Sequence, residues 1–216
     1  MWKSRYRVGP VPGPRRVPTR RVRGRNTGSA RLAAEISGAP SRWFDNMWEA
    51  SKTADMVFIT TPDDTIAAVC ALIAEKRGFL EQAVVFHCSG ALASTILAPA
   101  KTGIAENGKA NQVRIGSLHP LQSFAAVQTT TAKNDNNPFD NIIMAVEGDP
   151  DAVALGRQIA ADLGARPFTI RTEGKILYHA AAVVASNYLV TLMNLAIQLM
   201  SASGVSEKDA FEILSP

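Results

Sequence analysis

The chain has 216 residues, enough to bury a full hydrophobic core in one large domain or two small ones. Hydrophobic residues make up 46% of it and charged residues 19%, which is ordinary for a soluble globular protein. The net charge of +4 is a property of the head, because residues 1–34 contain no acidic residue. The remaining 13 basic and 19 acidic residues give residues 35–216 a net charge of −6. A nucleic-acid surface needs basic residues spread over a folded face, so this distribution argues against one.

Residues 1–30 are dominated by Pro, Gly and Arg and show neither helical nor strand periodicity. This composition cannot cover a hydrophobic core, so we expect a disordered head. Its prolines would break the amphipathic helix of a mitochondrial transit peptide, and it contains no apolar stretch typical of a secretory signal. The two cysteines belong to no CxxC pair and fit a reducing compartment. We therefore expect a cytoplasmic protein.

Five apolar, β-rich segments follow in chain order, and each of the first four ends in small residues, a proline or a glycine. They are residues 55–62, 83–90, 113–120, 141–148 and 166–170. Helical patterns separate several of them, with Asp63 and Asp64 as expected N-caps of one helix, Ser94 as the cap of a second, and Pro150 in the first turn of a third. From about Glu173 onward the pattern is helical only.

This alternation predicts an α/β fold: a Rossmann-like, mostly parallel sheet with helices on both faces, followed by a small all-helical domain. The expected organisation is a basic head at 1–30, an incomplete dinucleotide-binding domain at 31–172 and the start of the helical domain at 173–216. The uncharged run 176–206 is long enough to span a membrane. Its polar side chains are costly in lipid, and we expect no membrane span.

Parallel sheets bind ligands at the carboxyl ends of their strands. Thr61-Pro62 and Ser89-Gly90 end two of the predicted strands, and His119 ends a third. The Ser89-Gly90 pair either lets a cofactor approach the backbone or forms a plain strand-to-helix turn. His119 either exchanges a proton with a substrate or is a loop histidine bonded to the backbone.

Lys175, His179 and Ser186 fall within about 40° of one another on an ideal α-helix, while Asn187 belongs to a separate polar stripe. This face could polarise a carbonyl through the Lys175 ammonium and orient a substrate. The alternative is an exposed lysine at a helix start, although cations are disfavoured there. No spacing typical of a metal site or of a GxSxG nucleophile is present.

Several strings together closely resemble bacterial Rossmann-like proteins with a conserved C-terminal domain of unknown function, which are described at most as NADP-linked oxidoreductases. The strings are VFITTPDDTIAAV, VVFHCSGALAS, GSLHPLQSF, VEGDP, LGARPFTI and KILYHAAAVVASNYLV. More distantly, the layout is similar to ketopantoate reductase, pyrroline-5-carboxylate reductase and prephenate dehydrogenase. Lys175 resembles the lysine that assists carbonyl reduction in ketopantoate reductase. His119-Pro120 resembles the His-Pro of prephenate dehydrogenase, whose histidine contacts the substrate hydroxyl.

The resemblance implies NADP or NAD as cofactor, with Arg25 and Asn26 near the adenosine ribose or its 2′-phosphate. That family begins with a strand, a GxGxxG loop and a helix, which together bind the pyrophosphate. Here the corresponding place holds VGPVPGPRRVPTRRVRG, whose prolines remove amide donors. Without the glycine-rich loop, the resemblance does not guarantee cofactor binding or turnover.

The sequence thus predicts an NAD(P)-dependent oxidoreductase for a small carbonyl or hydroxy acid. Lys175, His119 and His179 are the candidate catalytic residues, Thr61, Pro62, Ser89 and Gly90 candidate cofactor contacts, and Ser186 and Asn187 candidate substrate contacts. A homodimer through the long apolar helix is a further expectation. The alternative is a non-catalytic Rossmann-like protein that binds a metabolite or a protein partner.

Overall fold

The computed structural model describes most of the chain and leaves out several segments. The described residues are 2–3, 21–22, 42–44, 46–104, 108, 110–124 and 137–215. They fall into two compact units, Met1–Lys175 and Ile176–Pro216. Each unit is considered by itself.

The first unit is built on a six-stranded sheet with the order β1-β4-β5-β6-β7-β8. Its strands are β1 (Trp2–Lys3), β4 (Met56–Ile59), β5 (Val84–His87), β6 (Arg114–Pro120), β7 (Ile143–Gly148) and β8 (Arg166–Thr169). A separate parallel pair is formed by β2 (Arg21–Val22) and β3 (Arg42–Trp43).

The strand directions agree with the expected mostly parallel sheet and include two antiparallel pairings. β4, β5 and β6 run parallel to one another, as do β7 and β8, but β7 is antiparallel to β6 and β1 is antiparallel to β4. A parallel connection needs a crossover, usually a helix, whereas an antiparallel strand can return directly. The sequence between β6 and β7 is polar and has no helical period, which is consistent with the reversal. The sheet remains mostly parallel, with three parallel and two antiparallel pairings.

Helices cover both faces of the sheet, as predicted. They are α1 (Met47–Ser51), α2 (Asp63–Glu75), a 3-10 turn (Ser94–Leu97), α3 (Pro99–Thr102) and α4 (Pro150–Asp162), with a second 3-10 turn at Thr172–Gly174. One core packs alternate residues of β4, β5 and β6 against α2 and the first 3-10 turn. The other packs the opposite face of the sheet against α4 and contains the stacked rings of Phe58 and Phe86, with centroids 5.2 Å apart. Strand alternation therefore divides the apolar residues between two layers, which is the packing of an α/β domain.

Two of the predicted helix caps are wrong. Helix α2 already begins at Asp63, with Pro62 at the N-cap position and no side-chain cap. Both Asp63 and Asp64 therefore lie in the first turn, where their negative charges interact favourably with the positive end of the helix dipole. Ser94 opens a 3-10 turn instead of capping a long helix, and Pro99 starts the separate short helix α3. Pro150 does occupy the first turn of α4, as predicted.

The second unit is all helical. It consists of α5 (Lys175–Val183), a π-helical segment (Val184–Tyr188), α6 (Leu189–Ala202) and α7 (Glu207–Leu214). The first residue of α5, Lys175, belongs to the first unit. Ser206 caps α7 by accepting the backbone N–H of Asp209. By length and composition, Thr172–Ala202 is the one described helix that could cross a membrane, with a mean hydropathy of 1.6. Core helices of soluble proteins pass the same criterion.

The predicted fold class is confirmed: an α/β Rossmann-like, mostly parallel sheet precedes a small helical unit. Of the basic head, the structure describes Trp2–Lys3 and Arg21–Val22, each as a two-residue strand. Arg25 and Asn26, the predicted adenosine contacts, lie outside the described residues.

Candidate functional site

A row of polar residues crosses the centre of the sheet. His87 on β5 is the register partner of Ser117 on β6, and Ser117 is the register partner of Glu147 on β7. Register partners on adjacent strands point to the same face of a sheet. His87 and Ser117 are fully buried and Glu147 is 1% exposed. Since His87 is the last residue of β5, this row lies beside the carboxyl edge of the parallel strands.

Lys175 reaches this row from the start of α5. Its Nζ donates a hydrogen bond to Ser117 Oγ over 2.7 Å, and the lysine is 1% exposed. The Ser117 hydroxyl in turn lies 3.5 Å from the backbone carbonyl oxygen of Ser89. The lysine at this helix start is therefore a buried residue of the sheet's polar row and not an exposed surface residue.

Burial lowers the pKa of the Lys175 ammonium to about 8, because removal from water disfavours its charged form. The negative charge of Glu147 opposes this shift, as do smaller contributions from Cys88 and Asp63. An amine with a pKa near neutrality can both donate and accept a proton under physiological conditions. The environment of Lys175 is thus suited to proton transfer or to stabilising a developing negative charge.

Burial also lowers the pKa of the His87 imidazole, to about 4, and the nearby Lys175 charge adds to the shift. The Ala93 backbone and the Asp63 carboxylate partly oppose it, while His119 adds a small lowering. His87 Nδ1 accepts the backbone N–H of Ser89 over 3.1 Å, so a neutral imidazole carries its proton on Nε2. Nε2 is buried and has no hydrogen-bond partner among the described residues.

The loop after β5 is shaped by Ser89. Its hydroxyl donates to Asp63 Oδ2 over 2.7 Å and accepts the backbone N–H groups of Ala91 and Leu92. With its N–H bonded to His87 and its carbonyl oxygen facing Ser117, every polar group of Ser89 has an internal partner. The side chain predicted as a cofactor contact therefore holds the loop to the first turn of α2. Gly90 beside it is buried.

The other predicted residues of this edge occupy the expected places. Pro62 is exposed, and Thr61 is partly buried with a buried Oγ1 that has no hydrogen-bond partner among the described residues. His119 is partly exposed on β6, two residues beyond Ser117 and therefore on the same face of the sheet. The structure thus brings Thr61, Ser89, His119 and Lys175 to one edge of the first unit.

The helical projection used for Ser186 is wrong. Ser186 and Asn187 lie in the π-helical segment, where the 100° rotation per residue of an α-helix does not apply. Ser186 Oγ lies 2.7 Å from the carbonyl oxygen of Ala182 and 3.2 Å from Asn187 Oδ1, and both residues are exposed. His179 is partly buried on α5, one helical turn after Lys175.

Sequence reasoning missed Ser117, Glu147 and Ser94. Glu147 accepts both the backbone N–H and the hydroxyl of Ser94, each over 2.7 Å. The available signal was a polar residue at a core-facing position of a strand that is otherwise apolar, as in NIIMAVEG and VRIGSLHP. Across the described residues, no group of three or more His, Cys, Asp or Glu side chains could hold a metal ion.

Residues 142–216 match the protein family described as a domain of unknown function (DUF2520). The structure is similar to protein TM1727 from Thermotoga maritima, with 28% identity and a TM-score of 0.63, over 87% of this chain and 63% of that one. BF3122 from Bacteroides fragilis, described as a candidate NADP oxidoreductase, is 20% identical with a TM-score of 0.65, over 90% of this chain and 66% of that one. A pyrroline-5-carboxylate reductase from Coxiella burnetii is 14% identical with a TM-score of 0.56, over 89% of this chain and 64% of that one. No curated protein matches the chain.

The chain therefore spans a little under two thirds of the length of these solved structures. The resemblance inferred from the sequence is confirmed: Rossmann-like relatives match the structure, and the C-terminal third matches a domain of unknown function. Identities below 25% establish a shared fold and nothing about chemistry.

Proposed function

We propose that the chain is an NAD(P)-dependent oxidoreductase that acts on a small carbonyl or hydroxy acid. The observation that carries the proposal is the buried Lys175 ammonium, hydrogen-bonded to Ser117 at the ligand-binding edge of a Rossmann-like sheet. Two of the similar structures are described as a pyrroline-5-carboxylate reductase and a candidate NADP oxidoreductase, which is consistent with nicotinamide chemistry.

In this proposal Lys175 polarises the substrate oxygen. Because the lysine is 1% exposed, an oxygen that reaches Nζ does so in a site with little water. A cation at low dielectric stabilises a developing alkoxide far more strongly than it does in bulk water. With a pKa near 8, Lys175 can also deliver the proton that completes carbonyl reduction.

His119 is the second proposed catalytic residue. It lies on the same sheet face as Ser117 and is partly exposed, so it can meet a substrate at the edge of the site. We assign it the positioning of the substrate oxygen or a proton relay. His179 as a third catalytic residue, and Ser186 and Asn187 as polar groups that fix the substrate, belong to the same proposal. Their segment, KILYHAAAVVASNYLV, resembles the corresponding segment of the bacterial Rossmann-like proteins.

The residues at the carboxyl edge fit the nicotinamide end of a dinucleotide. Thr61 Oγ1 is buried without a described partner and so retains a hydrogen bond to offer. The backbone at Ser89-Gly90 can be approached closely, with Pro62 beside it, while the Ser89 hydroxyl is already engaged. Arg25 and Asn26 are the proposed contacts of the ribose or 2′-phosphate. The nicotinamide would supply the hydride, and the described residues bind, orient and exchange the proton.

The proposal includes a cytoplasmic location and a homodimer formed through the long helix of the second unit. Large apolar side chains are exposed along that helix, among them Leu177, Leu192, Leu195 and Leu199. Such side chains cost free energy in water, and a second copy of the same surface would cover them. We also propose that the head at 1–30, the sheet domain at 31–172 and the helical segment at 173–216 are the functional divisions of the chain.

Titration with NADPH, followed by nicotinamide fluorescence, tests cofactor binding directly. NADPH oxidation with a panel of small keto acids and imines then tests catalysis. Lys175→Met keeps the apolar length of the side chain and removes its charge. We expect it to retain NADPH binding and to lower kcat by about 100-fold or more, the usual effect of removing one electrostatic contact to the transition state.

Lys76→Met is the matched control, because Lys76 is exposed and pairs with Glu75 on the surface. It should leave both binding and turnover unchanged. NADPH binding by the wild type without turnover of any tested carbonyl would favour the non-catalytic alternative. Absence of NADPH binding would contradict the oxidoreductase proposal for this chain.

A further inference from the structure

Glu147 belongs to the polar row, and the proposed reaction gives it no role. It is 1% exposed, and both of its carboxylate oxygens accept hydrogen bonds from Ser94. Ser94 lies at the end of the loop that follows β5 and opens the 3-10 turn packed on the sheet. A single carboxylate on β7 therefore fixes the far end of the loop that contains Ser89 and Gly90.

Glu147 also lies close to the buried ammonium. It is the direct register partner of Ser117, whose hydroxyl accepts the hydrogen bond of Lys175. Directly opposed residues of an antiparallel pair have Cβ atoms about 5 Å apart. Among the described residues, Glu147 is the only buried carboxylate and Lys175 is the only buried ammonium. A buried charge needs such a partner, since desolvation otherwise drives it to its neutral form.

Among the described residues, the titratable groups whose charges act on Lys175 or on the neighbouring His87 include two carboxylic acids. The set consists of Glu147 on β7, His87 and Cys88 at the end of β5, His119 on β6 and Asp63 at the start of α2. Asp63 is exposed and bonded to Ser89, so water screens its charge. The histidines add no negative charge. Glu147 is thus the main source of negative potential at the ammonium.

We propose that Glu147 is a positioning residue that keeps Lys175 protonated near neutral pH and, through Ser94, couples that charge to the loop after β5. The consequence for catalysis rests on the proposed function, but the electrostatic link between Glu147 and Lys175 does not. In this arrangement both carboxylate oxygens bond Ser94, while the negative charge of Glu147 acts on the ammonium that is hydrogen-bonded to the neighbouring Ser117.

The test is the titration of Lys175 in the full chain without cofactor, followed through the NMR signal of 13Cε-labelled lysine and assigned by its loss in Lys175→Met. Glu147→Gln keeps the shape and can still bond Ser94, but it removes the charge. We expect it to lower the proton affinity of Lys175 by about tenfold or more. Ser94→Ala keeps the charge and should change that affinity much less. An unchanged Lys175 titration in Glu147→Gln would overturn the proposal.

If Glu147→Gln unfolds the first unit because the Lys175 charge loses its counter-charge, a double-mutant cycle provides a second readout. If the two charges are coupled, Lys175→Met should restore stability to Glu147→Gln, and the double variant should resist urea better than Glu147→Gln alone. Additive effects would contradict the coupling. Where turnover is found, Glu147→Gln should also move the kcat–pH profile in the direction of the Lys175 titration. A shifted titration in a chain that binds no NADPH would remove the proposed reaction and leave this inference standing.

Discussion

Lys175 holds its charge at a place that solvent hardly reaches. The free energy of unfolding therefore depends on pH through this residue. Its pKa in the folded chain is about 8, against about 10.4 in an unfolded one. Between these values the unfolded chain binds a proton that the folded chain does not, so stability rises with pH. Below pH 8 both states bind the proton, and the full cost of burying the charge, on the order of 3 kcal/mol, is present.

We therefore expect Lys175→Met to remove a rise in the free energy of unfolding between about pH 8 and pH 10. Urea denaturation of both proteins at several pH values in this window measures the difference. Lys76→Met, which changes an exposed lysine, should give a curve parallel to that of the wild type. A Lys175→Met curve equally parallel to the wild type would show that the folded chain does not lower the pKa of Lys175.

His87 makes the corresponding prediction in acid. Its pKa is lowered to about 4, against about 6.5 in an unfolded chain. The unfolded state thus takes up the proton first, and stability is lost as the pH falls from about 6.5 through 4. In long-range 15N–1H NMR spectra we expect a neutral ring protonated on Nε2 down to about pH 4. A titration midpoint near 6.5 would be incompatible with the buried Nδ1 contact to Ser89.

At the residue scale the sequence was informative about position and less so about contacts. The positions of Thr61 and Ser89 just after β4 and β5, and of His119 near the end of β6, could be located from apolar runs closed by Pro or Gly. The hydrogen bonds of Ser89 to Asp63, and of Ser94 to Glu147, join residues 26 and 53 positions apart. Such pairings depend on strand order and register, which local periodicity does not specify.

Among the secondary-structure elements, β7 ends at a residue whose backbone leaves no room for a side chain. Gly148 has φ +133°, and a Cβ there would collide with the carbonyl oxygen of Ile115 on β6. Gly148→Ala should therefore destabilise the first unit by about 2 kcal/mol or more, by thermal or urea unfolding. Gly108 is the matched control, because it also has positive φ (+80°) but nothing within 4 Å of a Cβ. A Gly148→Ala effect no larger than that of Gly108→Ala would contradict the steric argument.

The elements themselves were largely predictable, because buried strands and amphipathic helices carry distinct periods. Helix α2, for example, buries Ile66, Cys70 and Ile73 at helical spacing. The π-helical segment at Val184–Tyr188 could not be predicted, since its single-turn widening leaves the apolar period almost unchanged. The misassigned face of Ser186 follows from that segment alone.

For the whole molecule, the exposed apolar helix makes self-association the main expectation. Sedimentation velocity of the full chain should show a dimer, and Leu192→Glu with Leu199→Glu should shift it toward monomer by placing charges at an apolar interface. These leucines are 62% and 65% exposed, seven residues apart on α6. Gln198→Glu on the same helix should have little effect. A wild type that stays monomeric at tens of micromolar, or that binds neutral lipid vesicles instead, would contradict the dimer.

Fold class was readable from the order of patterns along the chain, because alternating strands and helices admit few packings. Cofactor binding could not be predicted from this order, because it depends on backbone amides near the start of the sheet. The structure places Trp2–Lys3 antiparallel to β4, whereas the pyrophosphate-binding turn of a Rossmann domain follows a parallel strand. Ancestry and activity are separate questions for this chain.

The reversal of β7 also affects how such a protein can diversify. Pro120 pairs with Met144, so the chain leaves β6 and re-enters the sheet at the same edge to which Thr61, Ser89 and His119 belong. Antiparallel neighbours such as β6 and β7 need no crossover helix between them, unlike the parallel pairs of the sheet. Of the described residues between the two strands, Phe139 and Ile142 pack against the core that contains α4, whereas Leu121 next to Pro120 is exposed. Variation at an exposed position such as Leu121 therefore changes the surface beside Pro120 and leaves both cores intact.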